Sequence, residues 1–336
     1  MFVHLPLPIL KHQHLFSILL ALMLSLGISS TRANTVEFID YQKVLNEERA
    51  WAGLSNKTIR VGDVVWSYSE GGPADRPALL LIHGIGTNRD SWNHVARNLT
   101  QQYRVIIVDL PGSGQTLTPK GFDLSLPHLT EQLRRFAEAL RIENQLNLAG
   151  HSVGGSIGLM YAAKYPQEMK SLFLISAGGL FRSNKTFFLN NPIYLKQLLI
   201  SQPGDLNYVS RRVMHKAPFV PSLIKKQQEQ ALIQRAADTS ELIHQLVKLN
   251  QQYTVESFAQ LLKNIEVETL ILWGKQDQIV NVEVAHELGT ALKKAHPPIL
   301  LDQIGHTPIV ETPDLVAQHY LSFLNKMNTV KTSSSN

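Results

Sequence analysis

The chain of 336 residues contains no cysteine. That excludes disulfides, a thiolate zinc site and a lipidated N-terminal cysteine, so the fold needs no oxidising compartment and tolerates one. Charge of one sign is also scarce. The formal charge of +5 includes Lys11 and Arg32; without them 30 basic residues face 27 acidic ones, a surplus of +3. Such a mild surplus, spread along the chain, carries no nucleic-acid footprint, and the Lys225-Lys226 pair reads as a solvated helix face. There is no internal repeat and no low-complexity linker.

Nor is there an apolar run long enough for a membrane span. Leu15 to Ile28 is 14 residues long, short of the roughly 18 that a span needs. Lys11 and histidines precede this run, no acid occurs in residues 1–33, and Thr31 and Ala33 stand at the spacing a signal peptidase prefers. Residues 1–33 therefore read as a secretory signal peptide, with export to the periplasm or medium expected. An uncleaved N-terminal anchor is the alternative.

What remains suits one large α/β domain with an insertion. Val36 to Trp51 is patterned as an amphipathic lead-in helix. A hairpin follows around Gly62, from Thr58–Val61 and Asp63–Tyr68. Short apolar runs then alternate with helical patterns: Ala78–Ile82, Arg104–Val108, Leu146–Ala149, Leu172–Ile175, Thr269–Trp273 and Pro298–Leu301. Continuous apolar strands separated by helices imply a mostly parallel, doubly wound sheet covered on both faces. The rhythm breaks between about Gly178 and Lys263, where helical patterns are interrupted by Pro192, Pro203, Pro218 and Pro221. The expected organisation is a core in two parts, 34–178 and 264–328, a helical cap insertion at 179–263, and a polar tail at 329–336.

The stretch Gly150-His-Ser-Val-Gly-Gly155 carries the chemistry. A G-x-S-x-G match arises by accident in roughly one chain in ten of this length, so its context decides. Gln145–Ala149 alternates toward a strand, and Val153–Lys164 reads as a helix with Pro166 beyond its end. A strand turning at once into a helix strains the residue at the corner, and the chain passes only where Gly150 and Gly154 lack side chains. The hydroxyl then stands above the carboxyl end of the sheet, as in a nucleophile elbow. Ser152 is the candidate nucleophile; the bland alternative is a bystander serine in a glycine-rich turn.

A serine nucleophile needs a base, and the base an orienting acid. Of 13 histidines, His306 follows the last strand on a loop. His286 and His319 lie inside helical patterns, and His215 and His244 in the cap. For the acid, Asp277 stands just past a strand. The rival position after the preceding strand, Ser176-Ala-Gly-Gly179, has no carboxylate. Asp302 is too near His306 in sequence, and Asp109 suits a loop-holding role. In His83-Gly-Ile-Gly86 the glycines permit a turn that aims a backbone N–H inward. The oxyanion donors are expected to be the N–H groups of Ile85 and Val153. His83 is read as structural. Trp92 and Ile85 are candidates for lining an acyl site, an aromatic at that spacing being more often core.

These blocks, HGIG, DLPGSGQT, GHSVGG, WGKQDQIV and GHTPIVETP, resemble in order those of capped α/β-hydrolases over nearly the whole mature length. The chain is most similar to exported bacterial lipases and esterases of family V; Ala162–Pro166 and Val213–Phe219 resemble that group in particular. One departure is Gln115-Thr116, where many relatives carry a serine. The resemblance implies an α/β-hydrolase fold with a cap, and a serine hydrolase of carboxylic esters acting through Ser152, Asp277 and His306. It implies no metal or cofactor, with a small-molecule or lipid ester as partner and transient lipid-surface contact through the cap. Ser152 argues against the epoxide hydrolase and dehalogenase branches, which use an Asp nucleophile. A C–C-bond hydrolase and a non-catalytic binding member of the same fold remain the alternative readings. In the cap, Phe181, Phe187, Phe188, Leu189, Ile193 and Leu198 are candidates either to meet an acyl chain or to glue the cap to the core.

Overall fold

The computed structural model describes residues 40–185 and 192–333. The expected signal peptide falls outside them. The lead-in helix, α1, runs from Tyr41 to Trp51. It starts there because Asp40, extended at φ −72° and ψ 104°, caps it by accepting from the Gln42 and Lys43 N–H groups.

In chain order the remaining elements are β1 (Leu54–Val61), β2 (Val64–Gly71), β3 (Ala78–Ile82), α2 (Asn93–Leu99), β4 (Arg104–Val108), α3 (Leu126–Ala139), β5 (Leu146–His151), α4 (Val153–Lys164) and β6 (Met169–Ile175). Helices α5 (Pro192–Leu195), α6 (Asp205–Val213), α7 (Ser222–Gln234), α8 (Ala236–Gln252) and α9 (Val255–Leu262) follow. The chain then returns to β7 (Glu268–Gly274), α10 (Glu283–Ala291), β8 (Ile299–Leu301), α11 (Pro308–Glu311) and α12 (Pro313–Ser333). The eight strands form one sheet in the order β1-β2-β4-β3-β5-β6-β7-β8. β2 pairs antiparallel with both neighbours, and every other added strand is parallel.

The parallel strands read as unbroken apolar runs because both sheet faces are covered. Their side chains alternate between two cores. Leu80, Ile82, Ile106, Val108, Leu148, Leu172, Leu174, Ile271 and Trp273 pack with α3, α4 and α10. Leu79, Leu81, Val105, Ile107, Ala149, Phe173, Ile175, Leu270 and Leu272 pack with α2 and α12. The described chain between β6 and β7 is helical and contributes Leu195, Leu198, Leu206, Val209, Leu242 and Phe258 to the first core. Residues 329–333, expected to begin a polar tail, instead continue α12. No Gly or Pro follows Pro313 to stop that helix.

The β1–β2 hairpin is longer than the apolar pattern suggested. Its register runs from Leu54↔Gly71 to Val61↔Val64 around Gly62, whose φ is +57°. β1 shows mostly exposed side chains over Ser55–Thr58, so its pairing rests on backbone hydrogen bonds that leave no hydrophobic trace.

Candidate active site

β5 ends at His151, and α4 begins at Val153. Ser152 between them has φ 54° and ψ −117°, outside the usual regions for a residue with a side chain. Three backbone bonds hold it there: Ser152 N–H to the Ile175 carbonyl at 3.0 Å, and the N–H groups of Ser156 and Gly178 to its own carbonyl at 3.1 and 3.0 Å. The flanking glycines are steric necessities. A Cβ on Gly150 would lie 2.2 Å from the Gly154 oxygen, and one on Gly154 would lie 2.5 Å from the Ile82 oxygen.

The structure brings the three expected side chains together. His306 Nε2 lies 2.9 Å from Ser152 Oγ, and His306 Nδ1 lies 2.8 Å from Asp277 Oδ2. With a carboxylate at Nδ1 the proton sits on that nitrogen, leaving Nε2 free to accept from the serine hydroxyl. The other Asp277 oxygen accepts from the Ile279 and Val280 N–H groups at 2.8 and 2.9 Å. The carboxylate is thereby saturated on one side and aimed on the other. Trp273 Nε1 pins this loop by donating to the Val280 carbonyl at 2.8 Å. Gln276 ties it to the histidine loop, its N–H reaching the Ile304 carbonyl at 2.9 Å and its Oε1 accepting from Ile304 N–H at 3.1 Å.

Asp109 sits apart from this group. It is buried and accepts from the Arg89 and Gln115 N–H groups while pairing with the Arg89 guanidinium. Gln115 and Thr116, the departure from the family pattern, join the same network. Gln115 Oε1 accepts from Arg89 at 2.7 Å, and the Thr116 hydroxyl donates to the Asp109 carbonyl at 2.7 Å. Asp302 is exposed and pairs with Lys275. Ser176, at the rival acid position, is buried with its Oγ lacking a protein partner.

The Gly84–Ile85 peptide is locked in orientation. The Gly84 carbonyl accepts from His83 Nδ1 at 2.7 Å and from the Thr87 hydroxyl at 2.9 Å, while His83 Nε2 accepts from Leu110 N–H at 3.1 Å. His83 is fully occupied, and burial lowers its pKa, keeping it neutral. A trans peptide points its N–H opposite to its carbonyl, so the Ile85 N–H faces away from His83 and Thr87. A Cβ on Gly84 would stand 3.1 Å from Ser152 Cβ, so this turn lies against the elbow. On the other side, the first N–H groups of α4, Val153 among them, have no partner within their own helix.

Trp92 takes no part in the site. It is wholly buried in the second core, with no surface to offer an acyl group. In the segment expected to form a cap, Phe181 packs edge-on against Phe258 at 5.5 Å, and Phe181 and Leu198 are both buried in the first core with the sheet residues. Phe187, Phe188 and Leu189 lie outside the described residues.

His151 did not stand out in the sequence. Its Nε2–H donates to the His306 carbonyl at 2.7 Å, and its ring lies 5.1 Å from the His306 ring. Burial first, and the neighbouring His306 second, push its pKa down to about 3. It is a neutral prop that ties the residue before the serine to the backbone of the base. Its only visible signal is its place inside the G-x-S-x-G motif. Among the described residues no cluster of three or more His, Asp or Glu side chains is suited to a metal ion.

Residues 77–313 match the family described as alpha/beta hydrolase fold. The chain belongs to that family. It is 32% identical to Lipase 1 of Psychrobacter immobilis over 84% of this chain and 88% of that protein. The crystal structure of lip1 from Acinetobacter baumannii AYE superposes with a TM-score of 0.86 at 51% identity, over 90% of this chain and 99% of that one. The crystal structure of a membrane phospholipase A gives a TM-score of 0.79 at 30% identity, over 95% of this hydrolase and 99% of the other chain.

Proposed function

We propose that this chain hydrolyses carboxylic esters of the lipid type through an acyl-enzyme at Ser152. The observation that carries the reading is the strained Ser152, its Oγ 2.9 Å from an imidazole that is itself 2.8 Å from a buried carboxylate. His306 Nε2 takes the serine proton as Oγ bonds to the acyl carbon. The negative charge gathers on the former carbonyl oxygen, where the N–H groups of Ile85 and Val153 receive it. The imidazolium then protonates the leaving alcohol as the ester C–O bond breaks. Water, deprotonated by the same nitrogen, cleaves the acyl-enzyme and returns the proton to Ser152. The ester class follows from the similarity to proteins named lipases. A panel of p-nitrophenyl esters from acetate to palmitate tests it. Turnover by the parent and its loss in folded Ser152→Ala is the expected result. A folded Ser152→Ala protein that keeps a tenth of the parent rate refutes the assignment.

The same reading includes lipid-surface contact through the cap and action after export. The support for contact is Phe219, 86% exposed on the loop between α6 and α7. It lies within residues 206–228, which carry five Arg or Lys and no Asp or Glu. Cosedimentation with anionic phosphatidylglycerol vesicles, lost in Phe219→Ser, tests the contact. N-terminal sequencing of the protein recovered from the periplasm or medium tests export, with Asn34 expected as the first residue.

A further inference from the structure

Glu311, the last residue of α11, lies five residues beyond the candidate base. Its carboxylate gathers backbone donors from two distant parts of the chain. From its own loop, Gly305 N–H reaches both oxygens, at 3.0 and 3.2 Å. From the cap, His215 and Lys216 N–H groups reach Oε2 at 2.8 and 3.1 Å. The two cap donors are 96 and 95 residues away in sequence. Beside this knot the His306 N–H donates to the Val213 carbonyl, the last residue of α6, at 2.7 Å.

The main chain of the base is thus held from opposite sides. Its carbonyl is fixed to the core by His151, and its N–H is fixed to the cap by Val213. Gly305 marks how close cap and loop are. A Cβ there would lie 2.7 Å from His215 N and 2.9 Å from the Val213 oxygen, so a side chain would force them apart. Nothing else about Gly305 demands glycine, since it is not among the positive-φ positions.

We infer that Glu311 is a positioning residue for the reaction: by binding the cap's Val213–Lys216 segment to the Gly305–Thr307 turn, it sets the distance from His306 to Ser152. This rests on the serine hydrolase reading given above. The physical reason is that hydrogen bonds to a charged acceptor are stronger than neutral ones. A base displaced by even about 1 Å costs roughly 10² in rate. Without the carboxylate, three backbone donors at the cap–loop seam lose their shared acceptor, and the turn relaxes away from the cap with His306 on it.

The test is hydrolysis of soluble p-nitrophenyl butyrate, with kcat expressed per site counted by exhaustive fluorophosphonate labelling. Glu311→Ala should lower kcat per site by about 10- to 100-fold, leave KM within about twofold, and slow labelling by the same factor as kcat. Glu311→Gln should restore most of the rate. Its amide oxygen can occupy the cap-side position, and its NH₂ can donate to the Thr307 hydroxyl, which lies 3.4 Å from the other oxygen.

A second route approaches from the cap. His215→Pro deletes one donor, and the preceding Met214, at φ −118° and ψ 139°, is already in the conformation that a following proline requires. It should lower kcat per site about 3- to 10-fold, and the loss should largely vanish in the Glu311→Ala background, as for two residues in one interaction. Unchanged kcat per site in Glu311→Ala, with only the thermal midpoint lowered, overturns the inference. So does Gln performing no better than Ala, or a His215→Pro loss that adds in full. If Glu311→Ala does not fold, Glu311→Gln and His215→Pro decide, the inference failing if His215→Pro matches the parent. A parent protein that takes no label sinks the serine hydrolase reading itself. A parent that labels beside variants that label equally fast sinks this inference alone.

Discussion

Gly154 and Gly158 lie one turn apart on α4, and the structure assigns them opposite tolerances. In Gly154→Ala the new Cβ would stand 2.5 Å from the Ile82 oxygen and 2.7 Å from the His83 oxygen. Carbon contacts begin near 3.4 Å, so the two segments must separate by roughly 0.9 Å. Neither can yield easily, because Ile82 is paired on both sides, with Val108 and Gly150. Overpacking of this kind costs about 1–3 kcal/mol, and the better helix propensity of Ala returns at most about 1. A net loss of about 1–2 kcal/mol lowers the thermal midpoint of a domain this large by about 2–3 °C. The same displacement moves the Val153 N–H away from the Gly84–Ile85 turn, which should cost on the order of 10² in kcat. In Gly158→Ala the neighbours are the tips of Leu148 and Leu172, at 2.9 and 3.0 Å. Those flexible ends can move, so stability and turnover should stay near the parent's. Scanning fluorimetry and butyrate-ester kinetics on the two variants provide the comparison. A Gly154→Ala enzyme no less stable than Gly158→Ala, with kcat within a factor of three of the parent, would refute the elbow geometry.

Asp277→Asn should lose about 10⁴ in kcat, because the imidazole then lacks its orienting anion. Asp109→Asn should chiefly lower the thermal midpoint, since it breaks a buried ion pair that makes no bond to Ser152, Asp277 or His306; the reverse pattern would move the acid to Asp109. Ile85→Pro deletes one expected oxyanion donor and should cost about 10² to 10³ in kcat in a protein that remains folded, while Ile85→Ala changes it only modestly. Equal rates for the two would place the donor elsewhere in the His83–Asn88 loop. His151 concerns stability against pH. Its folded pKa of about 3 lies below the ordinary His value of about 6.5, so the unfolded chain binds the extra proton between those values, and stability falls as pH drops through that window. His151→Gln, which keeps an N–H for the His306 carbonyl, should flatten the stability profile between pH 4 and 6 by about one proton, or about 1.4 kcal/mol per pH unit; parallel profiles would count against it.

Most of the sheet was legible because buried parallel strands carry their own pattern. β3 and β4 begin and end where the apolar runs do, and α4 spans Val153–Lys164 as its periodicity indicated. The glycines around Ser152 were legible for a steric reason, since the elbow brings backbone within 2.2–2.5 Å of where their Cβ atoms would be. Ser152, Asp277 and His306 could be picked out because each follows a strand that ends on the same edge of the sheet. What escaped was held by bonds with no sequence periodicity. β1 is polar along Ser55–Thr58, so only its pairing with β2 reveals its length. Glu311 meets backbone N–H groups some 95 residues away, and a backbone donor has no residue type to betray it. His151 hid for a related reason: its partner is the main-chain carbonyl of His306.

The proposed mechanism rests on one hydroxyl, that of Ser152, as the attacking group. Peptide mass spectrometry after reaction with an alkyl fluorophosphonate tests it most directly. A single phosphonyl group is expected, on the peptide containing Ser152, with a rate of formation that collapses in His306→Ala. Label on another residue such as Ser113 or Ser176, or undiminished ester turnover with Ser152 fully modified, would contradict it.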